Sequence, residues 1–306
     1  MQTITRTVYG SQVQTALLLK LNHQIPTNSS VSEALNDPLA VPYQPNPLTA
    51  GMEEFAAYDA ANDTQSLSTR YLVIGNKAHY NVTGPVGSPP TQGTLPHKAR
   101  HSGLYGLIPF IARPVTSDLT SLQRQLYRLR KTLYRDGVLY AVYFGRVLDT
   151  GAVAVETTLT TVTAGVAVTT PFAPTVNDRR PQLPDVGTTN DGSYLQVSAV
   201  MNIAFTATEV QEIIDAVALF YGDASYAVIS ELGLCTGLDK VVTAKYPNDL
   251  GAPQVTTPVT PDTYYEAVGV QIAAHVTTTY PLQAFLGGLQ IPIDVGTTEP
   301  LYGVSA

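Results

Sequence analysis

The chain has 306 residues, of which 13% are charged, a net charge of −7 and a single cysteine. Low charge beside 44% hydrophobic residues excludes a disordered chain, and the length suffices for a sizeable core. Cys235 alone excludes an intrachain disulfide and a cysteine-rich zinc site, and it fits synthesis in a reducing cytoplasm as a small buried apolar residue.

Thr, Val, Ala, Tyr, Gly and Pro fill the place of the missing charge, a composition suited to pleated strands and turns. The opening stretch, MQTITRTVYGSQVQTALLLKLN, reads as no signal peptide, because its apolar run Ala16–Leu19 is short and meets Lys20. No stretch approaches the roughly 18 apolar residues of a membrane span. Pro26, Pro38, Pro42, Pro45 and Pro47 interrupt residues 1–69, which read as an extended arm with short helices. Ser30 with Glu33 caps one such turn through Leu35, and Thr49 precedes a second, with Met52, Phe55, Ala56 and Ala60.

A single β-rich domain is expected over 70–306. Arg70–Asn76, RYLVIGN, predicts a buried strand. Thr83–Pro96 carries seven Gly or Pro residues and predicts a loop without regular structure. The segment 98–148 follows, with nine of the seventeen Lys and Arg against Asp118 and Asp136, so it carries +7 while the other residues carry −14. Within it Thr120 and Gln123 form a capping-box pattern. Two readings compete beyond that cap. One is a single helix with Leu122, Leu126, Leu129 and Leu133 on one face. The other, favoured, is a short helix ending near Leu126 and then a hairpin turning at Asp136-Gly137 between YRLRKTLYR and VLYAVYFGR.

Gly151–Pro171 predicts two short strands, or one bent strand, broken at Ala164-Gly165, and Pro171–Gly192 predicts a loop. Leu195–Phe205 alternates with period two, Thr206 and Glu209 form a second capping box, and apolar residues from Val210 to Tyr221 recur at helical spacing until Gly222. With the strand Tyr226–Leu234 this predicts a β–α–β unit over 195–234. Asn248–Pro261 reads as a loop, Tyr264–Thr279 as a strand, and Leu282–Ala306 as an extended apolar tail. The fold class is therefore α+β and β-rich, with antiparallel or mixed sheets, one clear amphipathic helix at about 207–221 packed on them, and long Pro/Gly/Thr-rich loops.

The motifs of nucleotide binding, zinc proteolysis and serine hydrolysis are absent. His97 and His101 sit four apart in a loop between Pro96 and Gly103 with no acid nearby in sequence, so they read as polar loop residues; His23, His79 and His275 stand isolated. TTNDGS at 188–193 lacks the acidic spacing of a calcium loop. Glu231 lies among apolar strand residues, where a buried carboxylate needs a partner, and a structural ion pair is preferred to catalysis. No catalytic residue, cofactor or metal is expected. The remaining signal is the basic segment, whose Arg113, Arg124, Arg128, Arg130, Lys131, Arg135 and Arg146 are expected to pair with acidic surface on a neighbouring subunit. Phosphate contact with nucleic acid is the competing use, and the acidic pI of about 5.1 stands against it.

The runs HSGLYGLIPFIARP, SDLTSLQRQLYRLR and DGVLYAVYFGRVLD, with FTATEVQEIIDAVALFYGDASYAVISELGLCTG, resemble virion structural proteins of tailed bacteriophages, over roughly residues 70–240. The resemblance implies a non-enzymatic component of the neck or head–tail connector, made in the bacterial host cytoplasm and carried in the virion. It implies a homo-oligomeric ring of twelve or six copies by analogy with connectors, with the portal protein and tail or collar proteins as partners, packaged DNA passing nearby, and no membrane. Capsid decoration, a tail terminator or a minor tail protein are alternative virion roles. A nucleic-acid binder, or a β-rich glycan hydrolase needing two carboxylates at one cleft, is a further alternative.

Overall fold

The computed structural model describes residues 3–6, 23–25, 56–58, 68–82, 91–149, 153, 155–172, 192–244 and 262–300. The fold is α+β and dominated by antiparallel strands, with one helix longer than two turns among the described residues. No helix among these residues is long and apolar enough to cross a membrane.

Three short strands fall within residues 1–69: β1 (Thr3–Arg6), β2 (His23–Ile25) and β3 (Ala56–Tyr58). The helix expected after Thr49 is corrected at 56–58, where AAY pairs with β2 as a strand. The turn expected at Ser30–Leu35 lies outside the described residues. Next come β4 (Ser68–Gly75), β5 (His79–Val82) and β6 (Thr91–Thr94). Strand β6 lies inside the stretch expected to be a loop; its backbone pairs with β5 from His79↔Thr94 to Val82↔Thr91, so pairing overrides the local breakers.

The basic segment then supplies β7 (Leu107–Ile108), β8 (Ile111–Pro114), α1 (Ser121–Arg124), β9 (Tyr127–Arg135) and β10 (Val138–Val147). The hairpin reading prevails over the long helix. Asp136 and Gly137 both take positive φ, 49° and 83°, the tight turn that matches strand twist. Helix α1 is one turn, closed by the Thr120/Gln123 capping box, and its Leu122 is 72% exposed. Leu129 is buried, and it too has a positive φ, 55°, unusual for a bulky residue.

One compact unit comprises Met1–Leu148 with Phe205–Leu289. Its eight-stranded sheet runs β1, β15 (Asp262–Pro281), β14 (Val228–Ala244), β4, β10, β8, with β7 also on β4 and β9 also on β10. Between β4 and β15, β14 is buried continuously from Val228 to Gly237, because both its edges and both its faces are covered. Tyr71, Val73, Leu129, Val142, Phe144, Cys235 and Ile272 form the core here, and burial pushes the Cys235 thiol far above its usual pKa. Helix α2 (Ala207–Tyr221) buries Val210, Ile213, Ile214, Ala216 and Val217, and each of the Val and Ile side chains is worth about 1.5–3 kcal/mol. It begins at the Thr206/Glu209 capping box and ends at Gly222 in the left-handed region, and Phe220 packs edge-on to Tyr140 of β10.

A second compact unit comprises Asp149–Ala204 with Gln290–Ala306. Its five-stranded sheet holds β11 (Val155–Thr163), β12 (Val166–Pro171), β13 (Tyr194–Phe205), β16 (Leu289–Asp294) and β17 (Thr297–Pro300). The tract at 155–171 is thus two strands turning at Ala164-Gly165. Two expectations are revised. Residues 70–306 divide between two units rather than forming one. The β–α–β unit does not share a sheet: β13 pairs with β11 and β17, while β14 pairs with β4 and β15.

Candidate functional site

The basic segment turns much of its charge inward. Asp118, just before α1, has a fully buried side chain. Its Oδ2 takes Arg124 Nη2 in a short contact and Arg130 Nη2 at 2.8 Å, and its Oδ1 accepts from the Tyr143 hydroxyl at 2.8 Å and the Leu119 amide at 2.7 Å. Two guanidinium groups and a phenol thus share one carboxylate, and every member is buried. Desolvation pushes the Tyr143 hydroxyl well above its ordinary pKa, so it donates at any physiological pH.

Arg128 forms a second node. Its Nε and Nη2 grip Asp239 of β14 at 2.8 and 3.0 Å, and the Tyr71 hydroxyl donates to the same carboxylate at 2.8 Å. Arg128 Nη1 donates to the carbonyls of Arg124, Gln125 and Tyr127, which closes the C-terminal end of α1. Two more arginines bind the longer helix α2: Arg113 of β8 forks onto Glu212, and Arg146 of β10 reaches Glu209 at 3.2 Å with its guanidinium over the Phe205 ring.

Of the seven residues expected to face another subunit, Arg113, Arg124, Arg128, Arg130 and Arg146 are therefore committed to carboxylates of their own chain. Their partners come from 6 to 111 residues away, and the acids Asp118, Asp239, Glu209 and Glu212 neutralise the patch from within. Lys131 is half-buried on β9 opposite Val142, and Arg135 lies 3.3 Å from Asp136 at the hairpin tip.

A third cluster sits where the loop 95–106 meets the eight-stranded sheet. Glu231 of β14 is fully buried and accepts three hydrogen bonds: from His97 Nε2 at 2.8 Å, the Tyr105 amide at 2.9 Å and the Gly106 amide at 2.8 Å. The structural partner anticipated for Glu231 is thus His97. The His97 ring stacks on His275 of β15, with centroids 3.9 Å apart and planes 3° apart. His275 Nε2 donates to the His101 carbonyl at 2.9 Å, and burial lowers the His275 pKa to about 4. His101 meets His97 and Tyr105 edge-on. Gly75 admits the carboxylate: a Cβ there would lie 2.6 Å from Glu231 Cγ and 2.7 Å from the Gly106 carbonyl.

This cluster is unsuited to a metal ion. Parallel rings send their lone pairs in parallel, so one ion cannot sit in both planes. Among the described residues no group of three or more His, Cys, Asp or Glu side chains is placed to hold a metal. Sequence reasoning took His97 and His101 together as loop residues, considered Glu231 apart from them, and left His275 isolated. The usable signal was His275 itself, a titratable residue inside an apolar and Thr-rich strand that needs a buried partner.

Residues 1–306 match a family of unknown function, DUF7208, and the chain belongs to that family. No curated protein and no solved structure matches the chain.

Proposed function

We propose that this member of the family is a non-enzymatic structural protein of a tailed-phage virion, assembling as a ring in the neck or head–tail connector between portal and tail. The resemblance of the 101–149 and 205–237 runs supports the virion setting. The observation that carries assembly is strand β12. Among the described residues it lies at the edge of its sheet, all six of its residues are exposed, and VAVTTP contains no charge. Sheet edges that face solvent are ordinarily guarded by charge, bulges or a covering element. An uncharged, regular edge with Val166 and Val168 more than half exposed is suited to pairing with another strand. The charged contribution to a subunit contact narrows to Lys131 and Arg135, since the other five basic residues are occupied internally.

Native mass spectrometry of the purified chain and of virions tests the reading. A closed ring is expected, with its population reduced by Val168→Lys and, to a smaller degree, by the pair Lys131→Glu and Arg135→Glu. A chain that stays monomeric at all concentrations and is missing from virions would sink the proposal. Capsid decoration, a tail terminator or a minor tail protein would instead give the protein at another position in a virion reconstruction.

A further inference from the structure

Each of the stacked histidines uses Nε2–H as its donor, His97 to the Glu231 carboxylate and His275 to the His101 carbonyl. Their Nδ1 atoms are both buried without a hydrogen-bond partner. In the neutral imidazole such an Nδ1 is a bare acceptor, which is tolerable in an apolar setting. A second ring proton would create a buried N–H with nothing to receive it, facing a parallel imidazole 3.9 Å away. The surroundings offer little relief. From the loop, Lys98 and Arg100 add positive charge near His101, and Tyr105 contributes its backbone amide to Glu231. Among the described residues Glu231 of β14 is the one carboxylate at the cluster, and its oxygens are occupied by three donors. Opposite His275 in the sheet stand Gly233 of β14 and Thr5 of β1, neither titratable.

We propose that His97, His275 and Glu231 form an acid-sensitive latch that fastens the loop 95–106 onto the sheet at neutral pH and releases it on acidification. The loop is held by contacts that converge on Glu231 and on the stacked rings: the His97 side chain, the Tyr105 and Gly106 amides and the His101 carbonyl. Proton uptake at His275 opposes the stack, and losing the stack removes His97 from Glu231. The rest of β14 keeps its backbone ladder to β4 and β15, so the event stays local to the loop.

Hydrogen exchange of the full-length protein, followed by mass spectrometry and corrected for the intrinsic pH dependence, reads the latch at the Tyr105 and Gly106 amides. A shift of His275 from 6.5 to about 4 makes loop opening about 25-fold more frequent at pH 5 than at pH 7.5, and exchange at these amides accelerates accordingly. Amides in the β14–β15 ladder keep their protection. His275→Phe retains a stacking ring but cannot take a proton, and the acid step disappears in it. Equal corrected protection at the two pH values overturns the proposal, as does a step of undiminished size in folded His275→Phe. If that variant does not fold, titration of the wild-type histidine C2 protons decides: a His275 midpoint well below 6.5 supports the latch, and a midpoint near 6.5 overturns it.

Discussion

At Gly75 a missing Cβ decides whether a carboxylate fits inside the sheet. The side chain of Glu231 occupies the space a larger residue would take, beside the Gly106 carbonyl. Gly75→Ala is therefore expected to destabilise the fold by about 2–3 kcal/mol through overpacking, while Gly287→Ala, where a Cβ meets nothing within 4 Å, changes stability by under about 0.5 kcal/mol. Urea titrations of the two variants make the comparison. Asp118 carries a larger charge penalty. Asp118→Asn leaves Arg124 and Arg130 buried without their shared carboxylate, at a cost of about 3–5 kcal/mol by the same assay. The pH dependence follows from His275. Its folded pKa, about 4, is below the unfolded 6.5, so the unfolded chain binds more protons between those values. Stability is full above pH 6.5 and falls as pH drops towards 4, by at most about 3 kcal/mol from this group. Denaturant midpoints that rise from pH 7 to pH 5 would contradict this sign.

Among the elements, local chemistry was the most legible. Both capping boxes, Thr120/Gln123 and Thr206/Glu209, form with their hydroxyl and side-chain amide or carboxylate in the expected reciprocal bonds. Asp136-Gly137 and Ala164-Gly165 turn the two hairpins because a turn is written in adjacent residues. Thr206→Ala removes a hydrogen bond from the start of α2 and is expected to cost about 1 kcal/mol in thermal denaturation. What the sequence left hidden is pairing at long separation. Arg128 finds Asp239 across 111 residues, and His97 finds Glu231 across 134. A run of arginines with few acids beside it reads as a surface patch, yet the nearby Asp118, Glu209 and Glu212 of α2 and Asp239 of β14 bring five of its members inside. For the same reason the His97/His101 pair and Glu231 were noticed apart from each other, and their meeting point was not.

For the molecule as a whole, the strand class was legible in composition and the sheet order was not. Alternation at 195–205 and helical spacing at 210–221 are local signals, but nothing in them states that β13 and β14 join different sheets. The two units also differ in how their strands are covered. Amides of β14, flanked by β4 and β15, are expected to exchange slowest, and amides of β12, a fully exposed edge, fastest. Hydrogen exchange on the free chain checks the ranking, and slowing of β12 alone in the assembled state would identify the strand as the contact.

The position of β4 between β10 and β14 also sets a timetable for synthesis. Strand β10 and its hairpin partner emerge from the ribosome soon after β4 and can cover one of its edges. The strand that covers the other begins at Val228, about 150 residues beyond Gly75. At elongation rates of about 5–20 residues per second that interval lasts on the order of 10–30 seconds. Throughout it, the apolar run Tyr71–Ile74 has one side unpaired, and the place for Glu231 beside Gly75 stands empty. Until β14 arrives to close the sheet and fasten the loop in the same step, that open edge is exposed to mispairing with neighbouring copies.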